Sequence, residues 1–344
     1  MKALRDNFRR TFALSRAFAG QRDRRRPLFV PLILLAISLF ALQKPAFGGL
    51  AENTKLDPGI AAERYALPIS PPLDQGDSDL CWVFATLSML ETNYMVRHPG
   101  SRIELSRGAL QFDSVADRFR RVIRGEAGRP EDGGLAVEAI ALIRQNGILD
   151  QSDFHGVVDS EPIFSSIEQK LALLSSPTDK EKVLDRELKA SFGVKRRTTH
   201  LDGEAESPEQ LARTVLGGEE WTEFDLSRDG SEGWGPSHDP DARPETRVRY
   251  VTLDTMIDLI HQSLARGEAV VWGSVDHALL IYGGDYDQTG KPLSYLIKDS
   301  FPPYTYRAAA ETIHGMLNDV TVTQPDSMAR TTPTRRSEEA LPKP

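Results

Sequence analysis

From Cys81 to Val96 the sequence CWVFATLSMLETNYMV places apolar residues at Trp82, Phe84, Ala85, Leu87, Met89 and Leu90, dense enough for a largely buried helix. His98-Pro99-Gly100 then stops it. A second helix is expected over Leu135 to Gln145, where six apolar residues share one side and Asn146-Gly147 supplies a C-terminal stop. Gln169 to Phe192 also has helical period, interrupted at Pro177, and Val251 to Ala265 returns to it. Ala269 to Gly273, His277 to Gly283 and Leu293 to Lys298 read as three strands separated by Gly and Asp turns. Between Gly193 and Arg249 the pattern breaks up into a polar stretch rich in Gly, Pro and acidic residues, with Trp221 and Trp234 as isolated anchors. That composition predicts an insertion of loops over the surface. Ala51 to Pro72 is a proline-containing lead too short for a folded prodomain, and residues 325 to 344 are polar enough to be expected disordered.

The N-terminus follows a different pattern. Leu28 to Leu42 is a 15-residue apolar run behind Arg24-Arg25-Arg26, followed by the small residues of Ala46-Phe47-Gly48-Gly49. This is the layout of a secretory signal. The run is short of the ~20 residues that span a bilayer, whereas the stretch before it is long for a signal, so an uncleaved membrane anchor is the alternative. Under both readings the body from about residue 50 is exported, periplasmic or secreted, and touches membrane only through the N-terminal segment.

Charge sharpens this division. The formal net charge is −8, but residues 2 to 26 hold nine Lys or Arg against Asp6 and Asp23. Setting aside that +7 and Lys44 leaves −16 for residues 49 to 344. An acidic body argues against a nucleic-acid partner, which needs a concentrated basic surface. The chain has 344 residues, 40% hydrophobic and 27% charged, enough for one large domain or two lobes around a sizeable core. Its single cysteine, Cys81, excludes an intrachain disulfide, two-cysteine metal motifs and thioredoxin-type redox pairs. The histidines other than His277, at 98, 155, 200, 238, 261 and 314, form no pair at ligand spacing, so no metal and no cofactor is expected.

An unpaired cysteine in an oxidising compartment is a liability unless chemistry needs it. A thiol attacks a carbonyl as thiolate, a form favoured by a helix N-terminus and a nearby imidazolium. Cys81 sits where the first helix should begin, behind the turn-rich Asp74-Gln75-Gly76-Asp77-Ser78-Asp79-Leu80. The segment DQGDSDLCWVFA resembles the active-site loop of papain-like cysteine peptidases, in which Asp-Gln-Gly precedes a Cys-Trp-x-Phe-Ala helix start. The resemblance continues in the family's order. Glu104-Leu105-Ser106 is similar to the segment after the active-site helix, and Asp132-Gly133-Gly134 to the glycine pair lining the substrate cleft. Asp276-His277-Ala278 and Lys298-Asp299-Ser300-Phe301 resemble the His-Ala strand and the Lys-Asn-Ser-Trp strand, with Asp299 in place of Asn and Phe301 in place of Trp.

The resemblance implies an α+β, papain-like two-lobed fold, with a helical lobe carrying the Cys helix and an antiparallel β lobe carrying His and Asp. It implies Cys81 as nucleophile, His277 as its base, Asp299 as the orienting third member and Gln75 as the side-chain donor of an oxyanion hole. Gly133, Gly134 and Asp276 would face a peptide or protein substrate. Phe301 would shield the His277–Asp299 contact less fully than a Trp. Ser207-Pro208-Glu209-Gln210 and Ala265 to Gly273 (ARGEAVVWG) resemble stretches of the bleomycin hydrolase, or aminopeptidase C, type in particular. The chain then divides into residues 1–48, signal or anchor; 49–72, lead; 73–324, peptidase domain with the insertion at about 193–249; and 325–344, tail. Two other readings stand beside this one. The departures at Asp299 and Phe301 suit a catalytically weak papain-like fold kept as an envelope binding module. The order Cys-His-Asp is also that of a transglutaminase-like amide transferase, against which Gln75 and the 196-residue interval from Cys81 to His277 weigh.

Overall fold

In the computed structural model of the chain, residues 62–323 are described, apart from 128–129, 131–132, 155–156, 196–197, 239–241 and 244. The apolar run 28–42, Asp132, His155 and the tail therefore lie outside the described residues. No helix among the described residues is long and apolar enough to cross a membrane.

The first helix, α1 (Cys81–Arg97), is buried on nearly every side, from Trp82 to Met95. A helix with no solvent face must be covered all round, and the residues buried on α1 include the polar Thr86, Ser88, Glu91, Thr92 and Asn93. Four further helices belong with it: α2 (Arg107–Arg124), α3 (Ala136–Asn146), α4 (Ser160–Ala172) and α5 (Pro177–Phe192). The side chains of Ser106, Asp159 and Ser176 cap α2, α4 and α5 by accepting backbone N–H bonds in the first turn. Pro177 does not interrupt one long helix. It occupies the first turn of α5, where a missing N–H costs nothing. The loop after α3 turns at Gly147, φ +74°, and runs so close to Pro208 that a Cβ there would come within 2.5 Å of the Pro208 carbonyl carbon.

The remaining elements build a nine-stranded sheet and its cover. They are β1 (Glu63–Ala66), a small hairpin of β2 (Thr199–Leu201) and β3 (Glu204–Glu206), α6 (Pro208–Leu216), β4 (Trp221–Leu226), β5 (Gly233–Pro236) and β6 (Arg247–Val251). Then come α7 (Leu253–Ala265), β7 (Val270–Gly273), β8 (Ala278–Tyr286), β9 (Pro292–Lys298), β10 (Thr305–Ala309), α8 (Ala310–His314) and β11 (Asp319–Thr323). The sheet order is β10-β9-β8-β7-β11-β4-β6-β5, antiparallel except for β4 beside β6. One edge of β8 is shared: β7 pairs with Ala278 to Ile281, and β1 takes over from Gly283 to Tyr286.

Segment 193–249 is thus not a set of surface loops. It supplies β4, β5 and β6 to the large sheet, with α6 and the hairpin. The reason for the misreading is physical. Strand β4 alternates Trp221, Glu223 and Asp225 with Thr222 and Phe224, and all five are buried, so its carboxylates imitate a solvent face that does not exist.

Alternation along β7 and β8 divides the core. Val271 and Leu280 join one hydrophobic cluster with α1, α2 and α3, while the intervening Val270, Trp272, Leu279 and Ile281 are buried on the opposite face. The α1 helix packs directly on β8 and β7. A helix that begins with Cys81 therefore rests on the strand that begins beside His277.

Candidate active site

Cys81 is the first residue of α1 and is partly exposed. Leu80 precedes it with no side-chain cap, and the first turn holds no acidic residue. The partial positive charge of the helix N-terminus therefore meets the sulfur without a competing carboxylate.

His277 lies at the end of the turn from β7 into β8 and is 5% exposed. Its Nε2 is 2.8 Å from Asp299 Oδ1, and the ring is also hydrogen-bonded to Cys81. Since Nε2 faces the carboxylate, Nδ1 is the nitrogen left for sulfur. Burial opposes the charged ring, but the hydrogen bonds to Asp299 and Cys81 outweigh it and push His277 up to about 10. The Phe301 ring lies 5.4 Å from the His277 ring, centroid to centroid, tilted by 30°. A phenyl group thus stands beside this imidazole at the position where the Lys-Asn-Ser-Trp pattern has an indole.

Asp299 follows the last residue of β9 and is also buried. Besides His277, its Oδ1 accepts from the Phe301 N–H at 3.1 Å, and its Oδ2 accepts from the Tyr306 hydroxyl at 3.3 Å. Gln75 is fixed in the loop ahead of α1. Its backbone N–H donates to Ser300 O at 3.1 Å, its amide N–H donates to Ser78 O, and its Oε1 accepts from the Ser300 hydroxyl. Gln75 is thereby tied to the residue after Asp299.

The glycine pair meets the site through Trp82. A Cβ on Gly134 would lie 3.1 Å from the Trp82 ring, so any side chain there would press on the indole. Arg118 holds this arrangement, its guanidinium 5.9 Å over Trp82 and hydrogen-bonded to Gly133 O. Asp276 stays apart. It is exposed in the turn, and the contact shown for its carboxylate is the Ser274 hydroxyl at 3.2 Å. The structure thus brings together Cys81, His277 and Asp299, ties Gln75 to their frame and sets Gly133–Gly134 on the neighbouring Trp82. Among the described residues no group of three His, Cys, Asp or Glu side chains could hold a metal ion.

No family model matches the chain, and neither does any curated protein. Among solved structures, PepW from Lactobacillus rhamnosis HN001 superimposes with a TM-score of 0.63 at 17% identity, over 89% of this chain and 94% of that one. The fold is papain-like. A procathepsin L 3 from the larval midgut of Tenebrio molitor gives a TM-score of 0.38 at 15% identity, over 80% of this chain and 75% of that one.

This papain-like frame also carries a buried network that motif reading missed. Glu91 on α1 accepts from both terminal nitrogens of the Arg107 guanidinium, from the Ser70 hydroxyl and from the Leu105 N–H at 2.7 Å. Lys298, one residue before Asp299, donates to Ser70 Oγ at 2.7 Å and stands 4.0 Å from Glu91. Burial lowers Lys298 to about 8 in spite of the Glu91 charge. The network links the helix of Cys81 to the strand of Asp299. A signal for it was available, since Glu91 is the lone carboxylate in a helix dense in apolar residues and a buried carboxylate needs partners.

Proposed function

We propose that this chain is a cysteine peptidase acting on peptide or protein substrates. The observation that carries the reading is the His277 ring, held by hydrogen bonds to Asp299 on one side and Cys81 on the other. In this reading the Cys81 S–H proton passes to His277 Nδ1, and the thiolate adds to the scissile carbonyl carbon. The Cys81 backbone N–H and the Gln75 side-chain amide stabilise the oxyanion. His277 then returns the proton to the leaving amine, giving a thioester and the first product. Water, deprotonated by His277, hydrolyses the thioester and restores the thiol. Asp299 holds the tautomer and stabilises the imidazolium. Gly133 and Gly134 offer main chain to an extended substrate.

Within the papain-like group we favour the bleomycin hydrolase type, supported by the Ser207–Gln210 and Ala265–Gly273 stretches and by the likeness to PepW. Cys81→Ala should abolish peptide hydrolysis and labelling by a peptide-epoxide probe, with the fold kept. Wild-type turnover in that variant would sink the proposal, and a wild-type protein that never labels would point to the binding-module reading. We also propose export behind residues 1–48, as periplasmic, secreted or anchored protein. A fusion of residues 1–60 to a reporter that works only outside the cytoplasm should be active, and a silent fusion held in the cytosol would overturn this.

A further inference from the structure

Asp299 stands where the resembling peptidases carry an amide, and the contacts around it bear on that difference. Three donors reach its two oxygens. Oδ1 takes the His277 ring N–H and the Phe301 backbone N–H, and Oδ2 takes the Tyr306 hydroxyl at 3.3 Å. The first two would serve an Asn carbonyl equally well. The third would not, because an Asn turns its NH2 toward Tyr306 and the hydroxyl would have to accept instead. Tyr306 is 7% exposed on β10, in register with Ile297 on β9, and the Asp299 N–H donates to Tyr304 O at 2.7 Å. The strand pairing thus delivers the phenol to the carboxylate from the side opposite the imidazole.

We propose that Tyr306 is a positioning residue that matches this site to a carboxylate, moderating the basicity that Asp299 confers on His277. The inference rests on the catalytic reading of Cys81, His277 and Asp299. A hydrogen bond to a carboxylate stabilises its charge and draws density from the oxygen it holds, leaving less for the imidazolium. The other ionisable groups around this spot are accounted for. Cys81 on α1 contacts the ring, the Lys298 ammonium on β9 turns to Ser70 and Glu91, and the Tyr304 hydroxyl bonds Asp74 at 2.9 Å. Burial, and next the Asp299 charge, raise the Tyr306 phenol, so it stays a donor wherever the site titrates.

The test is a cycle of four proteins: wild type, Tyr306→Phe, Asp299→Asn and the double variant. The readout is the His277 ring titration followed by NMR, which needs no turnover. In the Asp299 background, Tyr306→Phe should raise the His277 midpoint by roughly half to one pH unit, about half of the one to two units that a lost hydrogen bond to a charged group is worth, because the effect reaches the ring through Asp299. In the Asn background the same change should leave the midpoint where it was. An equal shift in both backgrounds, or none with Asp299 present, would show a packing residue and overturn the proposal. Peptide turnover measured in parallel separates the two readings. A protein that cleaves nothing yet shows the Asp299-dependent shift keeps Tyr306 in its role and defeats the peptidase assignment.

Discussion

The carboxylates of Glu91 and Glu223 are both shut away from solvent, but they live among different neighbours. Glu91 is met by Arg107, Ser70 and the Leu105 N–H, with Lys298 4.0 Å away, so negative charge is answered by positive charge and by donors. Glu223 on β4 faces Thr321 on β11, while Asp225 and Asp319 face each other one step along the same ladder. Burial, and next the charges of Asp319 and Asp225, push Glu223 well above the usual carboxylate range, with Thr321 donating to it. The first cluster is held by charge balance and spans the helix and the strand that carry the candidate catalytic residues. The second crowds like charges around Glu223 and favours its protonated form, so its stability should follow pH.

The contrast breaks most severely at Glu91. Glu91→Ala would leave the buried Arg107 and Lys298 without their common counter-charge. A broken buried pair costs on the order of 3–5 kcal/mol, to be read as a lower urea midpoint. A loss below about 1 kcal/mol would mean that water or a shift of Arg107 replaces the carboxylate. The second cluster should respond through its protons. Glu223 binds its proton more tightly in the fold than in the unfolded chain, whose reference value is 4.5. Its contribution is therefore full below about 4.5 and is lost as pH rises through the folded value. Where native and unfolded chains differ by one proton the slope is about 1.4 kcal/mol per pH unit. Glu223→Gln should flatten it and stabilise the protein at pH 8 relative to wild type, whereas an unchanged slope would place the proton elsewhere. Lys298→Met should do least near neutrality, on the order of 1 kcal/mol or less, because Glu91 keeps Arg107 and Ser70. Lys298 titrates near 8 in the fold against 10.5 in the unfolded chain, so its own contribution to stability rises across that window, against the fall that the raised His277 brings up to about 10. The variant should lose that contribution, so wild type should gain on it as pH rises from 8 to 10.5, and a difference that stays constant would assign the titration to another group.

The same contrast explains how much the sequence disclosed. Cys81, Gln75, His277 and Asp299 could be named as candidates because each sits in a local string whose chemistry is self-contained, and the strands at β7, β8 and β9 carry short apolar runs bounded by Gly and Asp. The Cys81 helix was legible from its apolar density. Helix α2 was not foreseen. Its apolar positions are interleaved with Arg107, Arg118, Arg120, Arg121 and Arg124, and Arg107 and Arg121 are themselves buried, so polarity no longer marked a solvent side. Strand β4 was hidden in the same way by Glu223 and Asp225. Strand β1 is four residues long and gains its ladder from residues 283–286, a pairing that no local window contains. Tyr306 escaped notice because its role depends on a strand register that brings it to Asp299.

That pairing of β1 with β8 has a consequence in time. Glu63 waits for Tyr286, 223 residues later in synthesis, before the edge it completes exists. Cys81 likewise precedes His277 by 196 residues. Contacts this distant in sequence form late, since the loop between them must close first. A growing chain that ends short of residue 277 therefore holds the Cys81 thiol without the His277 imidazole. Under the proposed mechanism the sulfur would meet its base only when nearly all of the described body has emerged, and the order of synthesis itself would keep the nascent chain from acting.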